Sequence, residues 1–100
     1  MMKVEIGQIL SNFNGQPIVG PDNNPVTVGA VLLDHCGLYI NQADGKKMIM
    51  ANSLGERIYA CKNGELELET AELEFLREVI QPPRYGARVM AQVMEALGIE

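Results

Sequence analysis

Apolar residues recur at spacings of three and four between Thr70 and Ile80. Leu73, Leu76 and Ile80 form the line, and Phe75 and Val79 widen it on either side. That is the period of an amphipathic helix and not of a strand. Thr70 stands where an N-cap belongs, Glu72 falls in the first turn where the helix dipole favours an acid, and Pro82-Pro83 stops the run. The pattern makes this the central core helix.

Near the start, Val4, Ile6 and Leu10 alternate with Glu5, Gly7 and one exception, Ile9, which predicts a half-buried strand over 3–10. Asn14-Gly15 is a tight-turn signal, and Gln16-Pro-Ile-Val19 returns as a short edge strand. Residues 20–25 read as loop. Thr27 caps a helix over 28–36, with Val26 stapled on Val31; Val28, Val31, Leu32 and Cys36 form its buried stripe, and Gly37 ends it as a C′ glycine. The stretch 38–45 stays open, with Asn41 or Asp44 as the cap of the next helix. That helix spans 46–61, with Met50, Leu54, Ile58 and Cys61 on one face and Ala51 beside them; Gly55 weakens it and Asn63-Gly64 closes it. Glu65-Leu-Glu-Leu68 is a short strand or an extended connector. The last helix, 86–97, buries Val89, Met90, Val93 and Leu97 beside Met94.

These elements give one domain over 1–100 with an α+β fold, an N-terminal β-hairpin packed on a compact three- to four-helix unit. The expected core is Val31, Leu32, Leu54, Ile58, Leu73, Leu76, Ile80, Val89 and Val93. No internal repeat stands out.

Composition narrows the function. Thirteen acids against eight bases give a net charge of −5, so direct nucleic-acid binding is not expected. No apolar run is long enough to cross a bilayer, and no secretory segment is recognisable at the start, so no membrane partner is expected. Two cysteines without such a segment point to a reducing cytoplasm.

Candidate chemistry is sparse. His35 and Cys36 are adjacent and Cys61 is the other thiol, without the paired spacing of a zinc site; neighbours on a helix diverge too far to form a Cys-His nucleophile pair. Buried thiols with a histidine at the rim are expected, and neither metal nor cofactor. The acidic run Glu65, Glu67, Glu69, Glu72, Glu74 and Glu78 is answered locally only by Arg77. It is either a solvated face, a docking surface for a basic partner, or a phosphate-like charge array. Arg84, Tyr85 and Arg88 form the basic and aromatic cluster after the prolines and are the candidate partner-binding residues. The competing reading puts Tyr85 in the core and pairs the arginines with Glu78 or Glu95. Lys46-Lys47 reads as solvated. No phosphate loop, dinucleotide fingerprint or hydrolase elbow is present, so catalysis is not expected.

The stretches Asn14-Gly15-Gln-Pro17, Pro25-Val-Thr-Val-Gly29, Leu54-Gly-Glu-Arg-Ile58 and Leu66-Glu-Leu68, followed by an acidic helix and a proline loop before a short final helix, resemble a group of small tailed-phage and prophage proteins. The chain departs from them at Gly86-Ala87, where that group often has Gly-Gln. The resemblance implies a non-enzymatic interaction or virion-assembly accessory protein in a bacterial host cell, with a phage or host protein as partner. The alternative is a small acidic regulatory binder that blocks a basic site, including a nucleic-acid-binding one. Self-association as a symmetric dimer is expected as well. Met48, Met50, Met90, Met94 and Tyr39-Ile40 supply apolar surface, and the last helix supplies the interface, with Tyr85 as anchor and Arg84 or Arg88 meeting Glu78 across it.

Overall fold

The computed structural model describes residues 2–61 and 64–98. Its regular sheet joins two segments far apart in the sequence. β1 (Met2–Glu5) pairs antiparallel with β2 (Glu65–Leu68), Lys3 opposite Glu67 and Val4 opposite Leu66. Val4, Leu66 and Leu68 turn to the core while Glu65 and Glu67 stay exposed, the alternation expected of a sheet with one wet face. The expected first strand ends early, at Glu5. Both Ile6 and Gly7 donate to the Gly64 carbonyl, at 2.7 and 3.2 Å, and the chain turns there.

The N-terminal hairpin is present at Asn14-Gly15, and it belongs to a larger device. Three short arms, centred on Leu10, Ile18 and Val26, pair in a closed cycle. The amide of Leu10 donates to Val26, that of Val26 to Ile18, and that of Ile18 to Leu10, at 2.8–2.9 Å. A second cycle surrounds it: Asn12 donates to Gln16 (2.8 Å), Gly20 to Asn24 (2.9 Å) and Val28 to Gln8 (3.0 Å). The two turns between the arms are copies of one another. Gly15 and Asn23 hold positive φ (84° and 64°), and each donates its N–H three residues back at 2.9 Å. Asn14 and Asp22 each accept from the amide two residues on, at 3.0 and 3.2 Å. Glycine and asparagine are the residues that tolerate this left-handed geometry. The absence of a repeat is therefore corrected. Gly7-Gln-Ile-Leu10, Gly15-Gln-Pro-Ile18 and Asn23-Asn-Pro-Val26 recur at a constant spacing, and the supposed loop 20–25 is its second turn.

Four helices follow the expected order: α1 (Val28–Gly37), α2 (Gly45–Ala60), α3 (Thr70–Val79) and α4 (Ala87–Ala96). Thr27 caps α1 through its hydroxyl, 3.2 Å from the Ala30 amide. Gly37 is the last helical residue and lacks left-handed φ, so it is not a C′ glycine. Asp44 caps α2, accepting from Lys46 and Lys47, while Asn41 accepts from Ala43 and Asp44 just before it. The buried face of α2 is Ala51, Leu54 and Ile58; Met50 is exposed and Cys61 half-buried. Gly55, a weak point by propensity, lets α1 approach. A Cβ there would lie 3.4 Å from that of Cys36. Glu69, not Thr70, caps α3, and its amide donates to Glu72 at 3.0 Å. Of the expected closing pair Asn63-Gly64, Asn63 lies outside the described residues.

The centre of the fold is α1 rather than α3. Six of its ten residues are buried, and it packs on both α2 and α4. Its N-terminus rests directly on the chain after β1: Gly29 donates to Ile6 at 2.8 Å, and a Cβ on Gly29 would stand 3.0 Å from that same carbonyl. The expected core is buried except for Val89, which is half-buried while Met90 takes the inner position. Among the described residues no helix is long and apolar enough to cross a membrane, and no cluster of His, Cys, Asp and Glu could hold a metal ion.

Candidate functional site

The cluster Arg84, Tyr85 and Arg88 divides among three places. Arg84 donates to the Leu38 carbonyl at 2.9 Å, where a cation satisfies the negative end of α1. Tyr85 is half-buried, and its hydroxyl donates to the Asp34 carboxylate on α1; burial first, then Asp34, pushes the phenol up to about 12. Arg88 turns the other way, to the first arm of the cycle. Its Nε donates to the Ser11 carbonyl at 2.9 Å and its Nη2 to Ser11 Oγ at 3.3 Å. Neither arginine pairs with Glu78 or Glu95; both use backbone carbonyls.

Gln92, one turn after Arg88 and buried, completes the grip on Ser11. Its Oε1 accepts from the Ser11 amide at 3.0 Å, and its Nε2 donates to the Ser11 carbonyl at 3.0 Å and to the Arg88 carbonyl at 2.9 Å. A buried amide must find such partners or destabilise the fold. The result is a turn, 12–15, tied at its base to α4. At its tip stands Phe13, 89% exposed, with the Arg88 guanidinium carbon 5.0 Å from its ring centre. Sequence reasoning passed over Phe13, Ser11 and Gln92. The signal that would have found Phe13 is the repeat, because the equivalent position in the second turn is Pro21.

The acidic face is partly neutralised from α2. Glu78 pairs with Lys47 at 2.9 Å, so that lysine is not merely solvated, and Glu72 pairs with Arg57. The Glu69 amide, assisted by Arg57, holds the Glu72 carboxyl below its ordinary value. Glu67 stands across the sheet from Lys3, and Glu67, Glu69 and Glu74 remain exposed. Arg77 is not the local counter-charge; it donates to the Leu97 carbonyl at 3.0 Å.

His35 overturns the expectation of a rim histidine. It is 1% exposed, its ring 6.3 Å from that of Tyr85, and neither ring nitrogen makes a well-formed hydrogen bond, the Val79 carbonyl being the backbone group that favours its charged form. Burial, reinforced by the charge of Arg84, pulls its pKa down. It is buried because α1 is covered on the side facing the Tyr85 loop as well as on the side facing α2. Cys36 is buried and its thiol is pushed up to about 11, far from a reactive thiolate.

Besides Phe13, Ile9 and Val19 on the arms, the uncovered apolar surface lies on α2 and the turn before it. Ile49, Ile40 and Leu38 are exposed, and Met48 and Met50 less so, whereas Met90 is buried and Met94 half-buried. Between α1 and α2 runs a groove of about 330 Å³, with Leu33, Cys36, Ala51, Gly55 and Tyr59 along it and Glu56 at its rim. No family model matches the chain, and no curated protein or solved structure matches it.

Proposed function

We propose that this protein is a non-enzymatic interaction or assembly accessory of the tailed-phage type that its short motifs resemble. It works in the host cytoplasm through a protein-binding surface whose anchor is Phe13 on Arg88. One observation carries this reading: an aromatic ring is held out to solvent on a turn tied to the body by Arg88 and Gln92. Burying such a ring in a partner yields about 1.5–3 kcal/mol, and a turn already fixed in place loses little further entropy on binding. Aromatic and arginine side chains are the usual hot-spot residues. The rival reading, a binder working through its acidic face, has less support, since Glu72 and Glu78 already have basic partners.

The test is capture of partners from infected or lysogenic cells with the tagged protein, followed by mass identification. Phe13→Ala, which removes nothing from the core, should lose the specifically captured species, and added salt should weaken capture only modestly. Retention by Phe13→Ala together with steep loss in salt would overturn the proposal in favour of the acidic face.

A further inference from the structure

Phe13 and Pro21 sit at the same station of the two copied turns. Proline suits that station, because its fixed φ matches the first central residue of such a turn. The chain thus contains its own control: the turn does not need an aromatic there. Phe13 also contributes nothing to the core, being 89% exposed. Among the described residues its ring contact is with Arg88, a weak one at so exposed a site.

A site for this ring exists on the same protein. The groove between α1 and α2, at about 330 Å³, exceeds the ~150 Å³ that holds a benzene ring in a protein interior. Its walls are two helices held close at Gly55. Its lining carries an acid, Glu56, and no base; Glu56 accepts from Asn52 through Oε1 at 3.0 Å and keeps Oε2 for a guanidinium that arrives beside the ring. Three other grooves match less well, and the one beside Gly7, Gly29 and Ile58 has no acid in its lining. The one beside Leu38 and Ile40 includes Arg84, which would repel Arg88. The one along the second turn offers Asp22, both of whose oxygens accept from Asn24, and Asp34, which Tyr85, itself part of the lining, already holds.

We infer that the partner is a second copy of this chain: Phe13 of one copy enters the groove between α1 and α2 of another, and Arg88 meets Glu56 at the rim. The inference rests on the protein-binding reading above and names its occupant. A reciprocal exchange of rings between two copies makes an isologous dimer, whereas a one-way contact is heterologous and adds copies head to tail.

Light scattering over a wide concentration range tests this on the intact chain. The wild type should exceed its 11.0 kDa monomer mass in a concentration-dependent way. Phe13→Ala and Glu56→Arg should each weaken association about tenfold or more, with thermal unfolding of Phe13→Ala close to that of the wild type at concentrations where both are monomeric. Glu56→Gln, which removes the charge without reversing it, should weaken association less than Glu56→Arg does. A wild type that stays monomeric throughout, or association that Phe13→Ala leaves intact, overturns the inference. If the protein is monomeric while capture of another protein still depends on Phe13, the protein-binding reading stands and the second copy is excluded.

Discussion

The side-chain amide of Gln92 bonds both backbone groups of Ser11, as an adjoining strand would, with 3.0 Å at each bond. One residue of α4 thereby fixes the base of the exposed turn.

Replacing Gln92 with Leu keeps the bulk and removes both bonds. The part-buried Ser11 amide then lacks a partner, which costs about 1–3 kcal/mol. Urea denaturation should show a loss in that range, and hydrogen exchange should quicken at Ser11 and its neighbours on the turn. A loss below measurement error would mean that water or Arg88 replaces the clamp.

Leu76 is fully buried on α3. Leu76→Ala should cost about 2–5 kcal/mol, a large share of the ~5–15 kcal/mol typical of a domain. Val89→Ala, at a half-buried position, should cost clearly less. Chemical denaturation of the two variants compares them directly.

Gly29 and Gly37 should respond oppositely to alanine. Helix propensity favours alanine by about 1 kcal/mol at either position. At Gly29 the new Cβ meets the Ile6 carbonyl at 3.0 Å and the Ile6 Cβ at 3.3 Å, and overpacking of that kind costs about 1–3 kcal/mol. Thermal unfolding should therefore fall for Gly29→Ala. It should hold or rise for Gly37→Ala, where nothing lies within 4 Å.

The depressed pKa of His35 gives stability a pH dependence of defined sign. The unfolded chain takes up a proton near 6.5, while the folded chain resists it, because burial and the charge of Arg84 outweigh the Val79 carbonyl and Asp34, which favour the imidazolium. The contribution is fully present above about pH 6.5 and is lost as pH falls through the folded value. Denaturation midpoints should decline over that window in the wild type. His35→Leu should flatten the decline and leave neutral-pH stability equal or higher, since two nitrogens without a well-formed hydrogen bond disappear. An unchanged slope in the variant would show that other groups control it.

The four helices were legible in the sequence to within a residue or two, because period and caps are local signals. The rotation of α2 was not: Met50 outranks Ala51 in hydrophobicity, but the small residue is the one that fits beneath α1. β1 and β2 are four residues each, and their pairing joins distant segments, so alternation could suggest a strand without naming its partner. The three-arm cycle is made of backbone bonds and turns, and its arms share a single inward apolar position apiece, too few to produce a hydrophobic period. His35 escaped because burial on two sides of α1 depends on a loop that arrives from elsewhere. The arginine and tyrosine cluster was visible as composition; that Arg84 and Tyr85 bind α1 while Arg88 supports Phe13 is tertiary information.

Two kinds of closure meet at Val4, Leu10 and their neighbours, and they differ in the length of chain each must gather. The cycle of arms joins residues no more than a few turns of sequence apart, so it can zip progressively from Gln8 to Val28. The sheet must bring in β2 from beyond α2, a much larger loop whose closure is entropically slower and opens more readily. The cycle is thus closed over a short span of chain and braced by α4 through Ser11, and the first strand joins it across a longer loop. Amides of Leu10, Ile18 and Val26 should stay protected under mild denaturant after those of β1 have exchanged, leaving the display turn intact on a partly opened protein.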